Sequence, residues 1–510
     1  MSELQQLFPN LYLGFEVALS LKNLMYCFIG VFAGTVIGVL PGIGPLATIA
    51  MLLPITFNLE PTSALIMLAG IYYGCQYGGS TTAILVKLPG ESASVVTCLD
   101  GHAMALNGRA GPALAIAAIG SFIAGTVGTI LIARFGPPIA ELALKFGAPE
   151  YFSLMTMGLI ASAVLAHGSV LKAIAMIFLG LLFGIIGTDV NSGRARFSFG
   201  FPELTDGISF TVVAMGLFGF AEILSNLAKG AEAQSRDLLT RKIDHLYPTK
   251  DDMKRSAWPI ARGTALGAFF GALPGAGPTI AAFSSYALEK KLTKRPELFG
   301  KGAIEGVAGP ESANNAAAQC AFIPTLALGI PGSATMALML GALTIQGIAP
   351  GPQVMTQRPD LFWGLIASMW IGNLMLVVLN LPLVGLWVRL LRVPYRLLFP
   401  AILTFMAIGV YSVNNSQFDV YMTIILGLLG FLFMQLKVEP APLILAFVLG
   451  PLMEENVRRA LLISRGDPSV FFTRPISATF LAIAIALLAI MVLPAIRKKR
   501  EKIVEEPPAV

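Results

Sequence analysis

The sequence predicts an all-α polytopic membrane protein with about a dozen transmembrane segments, arranged as two inverted-topology repeats with broken helices and re-entrant hairpins. Three observations carry this prediction. Of 510 residues, 55% are hydrophobic and only 13% are charged, and the mean hydropathy is +0.76, whereas a soluble domain carries about 25% charged residues. Apolar stretches of membrane-spanning or nearly spanning length recur along the chain. A motif rich in glycine and proline occurs once in each half.

A helix needs about 20 apolar residues to cross the hydrocarbon. Such stretches lie at Leu21–Leu40, Ser63–Val86, Pro112–Ile132, Tyr151–Leu165, Ser169–Ile186, Gly207–Leu227 and Ala261–Leu273. They continue at Ala303–Leu328, Leu361–Trp387, Leu397–Val410, Val420–Leu436, Ala441–Leu452 and Ile476–Leu493. The shorter ones are expected to be re-entrant. A hydrophilic run opening with Lys229, Glu232, Arg236 and Asp237 divides the chain. The expected units are a first repeat over 1–228, a connector over 229–262, a second repeat over 263–495 and a basic tail over 496–510. Arg497, Lys498, Lys499, Arg500 and Lys502 directly follow the last apolar segment, as in a cytoplasmic tail. Residues Met1 to Asn10 lack the basic start and cleavage site of a signal peptide, so the first apolar segment is expected to persist in the mature protein.

Several chemistries find no support. Cys27, Cys75, Cys98 and Cys320 are far apart, as are His102, His167 and His245, and no metal-ligand spacing links them. No GxxxxGK[ST] phosphate loop and no intramembrane protease motif occurs. No catalytic residue, metal site or cofactor is therefore expected. The net charge of +6 implies no nucleic-acid partner in a membrane protein, where the placement of Lys and Arg matters more than their sum.

The internal repeat is the most informative feature. Residues 34–45 read GTVIGVLPGIGP and residues 267–278 read GAFFGALPGAGP, with seven of twelve positions identical. A second pair is Lys87-Leu88-Pro89-Gly90-Glu91-Ser92 and Gly329-Ile330-Pro331-Gly332-Ser333-Ala334, and a third is Gly111-Pro112 and Gly351-Pro352. Three landmarks in one order indicate duplicated halves. The connector 58–62 has no basic residue, whereas its counterpart holds Lys290, Lys291, Lys294, Arg295 and Lys301. Equivalent loops on opposite sides are the signature of an inverted repeat.

Proline lacks a backbone donor and glycine tolerates left-handed conformations, so PGIGP and PGAGP interrupt helices. At membrane depth such interruptions survive where they line a cavity, and repeat-related pairs of them point to a transporter's binding site. Helices restarting after a break aim N–H groups at an anion, and the carbonyls before it can hold Na⁺. The alternative is that the glycines and prolines only mark kinks or close packing. The candidate substrate-binding residues are Gly79, Ser80, Thr81, Thr82, Lys87, Pro89 and Gly90, with Asn314, Asn315, Pro331, Gly332, Ser333 and Thr335. The candidate cation-coupling residues are Gly42, Gly44, Gly275 and Gly277, with Na⁺ or H⁺ as the coupling ion.

Two polar stripes at helical spacing, Glu311/Asn314/Asn315/Gln319 and Tyr73/Gln76/Tyr77/Ser80, are expected to face the bundle interior or an aqueous path. Interhelical hydrogen bonding is the competing role. Lys87 either meets a substrate carboxylate, pairs with Glu91 or reaches to an interface. Asp100, His102 and Arg109 are expected at an interface.

At these residues the sequence resembles the large, TctA-type membrane subunit of the tripartite tricarboxylate transporters. The resemblance is carried by GVLPGIGP at 38–45, YGCQYGGSTT at 73–82, Pro89-Gly90-Glu91, DGHAMA at 100–105 leading into GRAGPAL at 108–114, GALPGAG at 271–277, PESANNA at 310–316 and LGIPGSAT at 328–335. It extends over about residues 20 to 490. It implies a secondary transporter of the bacterial inner membrane that works with a small membrane subunit and a periplasmic solute-binding protein. Uptake of citrate or another organic anion would be driven by a cation gradient. Two departures are visible: His102 stands where many relatives have an aromatic residue, and Lys87 where a neutral polar one is common. The competing function is an ion or small-solute channel, which the duplicated halves disfavour.

Overall fold

Long apolar runs wind into helix because the backbone of a membrane segment must satisfy its own hydrogen bonds, and the runs stop at glycine and proline. The computed structural model describes residues 3–40, 43–165, 169–189, 192–228, 246–273, 277–391 and 395–492. The first half runs through α1 (Glu3–Ala18), α2 (Leu21–Gly38), α3 (Pro45–Leu52), α4 (Pro61–Val86), α5 (Val95–Leu106), α6 (Ala110–Ala143), α7 (Ala148–Leu165), α8 (Val170–Gly184) and α9 (Phe210–Ala228). A two-residue hairpin pairs Gly187–Thr188 with Ala195–Arg196. The second half contains α10 (Lys250–Ala272), α11 (Gly277–Leu292), α12 (Glu305–Cys320), α13 (Phe322–Leu328), α14 (Ala334–Ile345), α15 (Pro359–Asn380), α16 (Tyr395–Asn414), α17 (Gln417–Gln435), α18 (Ala441–Ile463) and α19 (Pro475–Val492), joined by short turns.

Five described helices, α2, α6, α9, α15 and α17, are long and apolar enough to cross a membrane. By that measure the expected dozen crossings are not reached. α3, α5 and α14 are short, while α4 and α12 carry polar residues that their neighbours shield from lipid. Beyond its first residue α4 is buried throughout, and so is α12. Of the expected connector, 229–245 falls outside the described residues; from Lys250 it is already helix, and α10 continues unbroken past 262 to Ala272. The basic tail and His167 also lie outside the described residues.

Glycine ridges set the packing that holds the interior together. Gly30, Gly34 and Gly38 on α2 lie so close to α4 that an added Cβ would sit 2.2, 2.3 and 2.4 Å from the carbonyl oxygens of Met67, Ile71 and Cys75. Gly263, Gly267 and Gly271 on α10 meet the carbonyls of Gly309, Ala313 and Ala317 on α12 at 2.2, 2.3 and 2.4 Å. Small residues at four-residue spacing let backbones approach where lipid offers no hydrophobic drive for association.

The helix ends match as well. α4 stops at Lys87 with φ 59° and α13 stops at Gly329 with φ 70°, each in the left-handed cap that terminates a helix. The Pro-Gly turn after each cap folds back on the glycine ridge. A Cβ on Gly90 would lie 3.0 Å from the carbonyl oxygen of Gly38, and one on Gly332 would lie 3.4 Å from that of Gly271.

Candidate functional site

The four interruptions meet. A cavity of about 270 Å³ is lined by Gly44 and Pro45 from the first motif, Gly90 to Ala93 from the second, Gly277 to Thr279 from the third and Ser333 to Thr335 from the fourth. Each interruption is followed by a helical start. Gly44 precedes α3, with Pro45 in the first turn where no amide donor is needed. Gly277 and Pro278 open α11. Ser333 caps α14, its hydroxyl accepting from the Met336 amide at 3.3 Å. Glu91 opens the 3₁₀ turn Ser92–Ser94 that leads into α5. The first amides of a helix lack intrahelical acceptors and carry the positive end of its dipole, so these starts bring partial positive charge to the cavity without a formal positive charge. The halves touch directly here, with Ser92 Oγ 2.8 Å from Thr279 Oγ1.

The formal charges in the wall are negative. Glu91, Glu222 and Glu439 line the cavity, and no Lys or Arg is among the described residues that do. Glu91 is held from behind, where Asn314 Nδ2 donates to its Oε1 at 2.8 Å.

The candidate residues divide by position. Gly90, Ser333, Thr335, Gly44 and Gly277 are on the cavity wall. Asn314 reaches it through Glu91. Gly79 backs the second motif: a Cβ on Gly90 would sit 2.4 Å from the Gly79 Cα. Pro89, Pro331 and Gly332 shape the turns that lead to the wall without lining it. Thr81 donates to the Tyr77 carbonyl at 3.3 Å, and Thr82 to the Val39 carbonyl at 2.8 Å. Ser80 donates to Glu311 Oε2 at 2.6 Å, and Asn315 to Ser121 Oγ at 2.7 Å. Lys87 is exposed beside its left-handed cap and away from the wall, so Asn314 rather than Lys87 is the partner recorded for Glu91. Gly42 and Gly275 lie outside the described residues.

Glu91 figures in the sequence as a partner for Lys87, and Glu222 lies outside the expected site, yet both carry the same signal, a carboxylate in an apolar stretch. Glu439 follows an apolar segment and had none. Asp100, expected at an interface, is fully buried and structural. Its Oδ1 accepts from the amides of Gly300, Gly302 and Ala303 at 2.9, 2.8 and 2.8 Å, and its Oδ2 from the Tyr286 hydroxyl at 3.0 Å. His102 is buried against the Ile84 carbonyl, and Arg109 pairs with Asp252.

Comparison with known proteins agrees with a membrane reading. Residues 24–445 match the model of the tripartite tricarboxylate transporter TctA family. A relative in Agrobacterium vitis, described as an uncharacterized 52.8 kDa protein in the TAR-I ttuC' 3' region, is 59% identical over 99% of this chain and 100% of its own length. A second from the same organism, an uncharacterized protein in the TAR-II ttuC' 3' region, is 59% identical over 47% of this chain and 99% of its own. An uncharacterized protein of Methanocaldococcus jannaschii is 24% identical over 40% of this chain and 49% of its own. No solved structure matches.

Proposed function

Because the chain belongs to the TctA family of tripartite tricarboxylate transporters, we propose that it is the large membrane subunit of a secondary active importer for a tricarboxylate or related organic anion. In this reading it sits in the bacterial inner membrane with its C-terminal tail in the cytoplasm. A periplasmic solute-binding protein delivers the anion, a small membrane subunit completes the complex, and a Na⁺ or H⁺ gradient drives uptake.

The observation that supports this most is the single cavity reached by all four repeat-related interruptions. Several helix starts around one space provide amide donors for substrate carboxylates, with the Ser333 and Thr335 hydroxyls beside them. A cation entering with the anion is held by carbonyls near Gly42, Gly44, Gly275 and Gly277, on a wall that also carries the carboxyl groups of Glu91, Glu222 and Glu439, and it offsets the substrate's charge where little bulk water screens it. Such mutual dependence is what symport requires. Inverted halves would then alternate access, with the four-interruption unit moving against a scaffold drawn from 361–493 and 112–227, and with short and broken helices completing about a dozen crossings.

The test is uptake into proteoliposomes that hold the chain and its small subunit, supplied with the carboxylate-loaded binding protein. Ser333→Ala and Asn314→Ala are each expected to lower initial uptake about tenfold, the loss of one hydrogen bond to a charged group, with assembly unchanged. Full uptake in both variants removes the cavity from the transport path, and flux indifferent to the substrate gradient identifies a channel. Replacing Na⁺ by choline at constant pH abolishes uptake if Na⁺ drives it; persistence identifies protons.

A further inference from the structure

A second, smaller cavity lies away from the one formed by the interruptions. It measures about 20 Å³, enough for one water-sized occupant. Its wall includes Tyr77 and Ser80 of α4, Ser121 of α6, Glu311 of α12 and Asn380 at the end of α15. All five are buried, Glu311 to 1% exposure and Asn380 to 7%.

Glu311 is the unusual member. Its recorded partners are hydroxyls, Ser80 on Oε2 at 2.6 Å and Thr97 on Oε1. No Lys or Arg among the described residues pairs with it. A buried carboxylate without a counter-charge is strongly unfavourable, and it is relieved by taking up either a proton or a metal cation. An independent observation concerns Asn380. Its Nδ2 donates to the Leu376 carbonyl at 2.9 Å, while its Oδ1 has no hydrogen-bond partner among the described residues although the side chain lines the cavity. An unpartnered buried amide oxygen calls for a donor or a cation. The other wall groups retain oxygen lone pairs. Tyr77 spends its proton on Asn373 Oδ1 at 2.9 Å, and Ser121 Oγ accepts from Asn315 while remaining able to bind a cation.

We infer that this cavity is a binding site for one Na⁺ ion, held by Glu311, Ser80, Ser121, Tyr77 and Asn380. Carboxylate, hydroxyl and amide oxygens without nitrogen or sulfur form a hard donor set, and one carboxylate matches one positive charge. The assignment rests on the symport reading and places a coupling-ion site away from the glycine interruptions. α12 links the two cavities: Glu311 faces the small one, and one turn later Asn314 holds Glu91 in the wall of the large one. Occupancy by Na⁺ thereby bears on the position of Glu91.

The experiment is thermal unfolding of the purified chain in detergent, without anion or partner proteins, with NaCl replacing choline chloride at fixed pH and ionic strength. The melting temperature of the native protein is expected to rise saturably with Na⁺. Glu311→Gln should abolish that rise, Asn380→Ala should raise the half-saturating Na⁺ concentration about tenfold, equivalent to about 1.4 kcal/mol, and Gly385→Ala, outside both cavities, should leave it unchanged. If Glu311→Gln does not fold, Asn380→Ala gives the readout. A native melting temperature that follows pH but ignores Na⁺, or an unchanged Na⁺ response in both Glu311→Gln and Asn380→Ala, overturns the inference. Because no anion is present, such a failure leaves the anion reading of the large cavity intact, and a failed uptake experiment does not touch this result.

Discussion

Asp100 and Asp252 are acidic side chains whose work is structural, and each ties distant parts of the chain together. Removing Asp100 strands the amides of Gly300, Gly302 and Ala303. Asp100→Ala should therefore destabilise by about 1–3 kcal/mol, the cost of leaving the buried Ala303 amide unpaired; thermal unfolding in detergent checks this. At Asp252 burial opposes ionisation, but Arg109 and the Thr249 cap hold the carboxyl below its ordinary value of 3.8. A lowered carboxylate pKa stabilises the fold above the unfolded value and stops doing so as pH falls through the folded one. The melting-temperature gap between the native protein and Asp252→Asn should be full above about pH 5 and narrow in more acidic buffer. Sequence alone marks Asp100 as a charge next to an apolar run. It cannot show that a loop two hundred positions away supplies its donors.

At the scale of elements, the glycine ridges of α2 and α10 decide how near α4 and α12 come. Gly34→Ala and Gly267→Ala place a methyl against a backbone carbonyl that cannot rotate away, so each should lower stability by about 1–3 kcal/mol. Gly385→Ala meets nothing within 4 Å and should leave the melting temperature unchanged or slightly raised. The duplicated motif was legible because glycine and proline act through the backbone, and their spacing is a property of the local chain. The buried stripe of α12 was legible for a similar reason, since helical periodicity places Glu311, Asn314 and Asn315 on related faces. Their individual partners were not, because Ser80 and Ser121 arrive from other helices and Glu91 from the turn after α4. Helix ends show the same division: a break at Pro89-Gly90 is evident from composition, whereas the left-handed cap at Lys87, exposed and outside the cavity lining, is not.

For the molecule as a whole, the sequence indicated a membrane protein with interruptions in both halves, and the structure brings those interruptions to one cavity. Five of the described helices are long and apolar enough to cross a bilayer, whereas α4 and α12 derive their environment from the neighbours that bury them and not from their own apolarity. The transport reading depends on the contact between halves at this cavity, where Ser92 and Thr279 approach to 2.8 Å. The most direct measurement is therefore cross-linking of a Ser92→Cys/Thr279→Cys double variant in membranes, with uptake followed before and after oxidation. Oxidation should join the two halves within one chain and arrest uptake, and a reductant should restore it. Failure to cross-link, or uptake undiminished by complete cross-linking, would contradict a shared, moving transport site at the four interruptions.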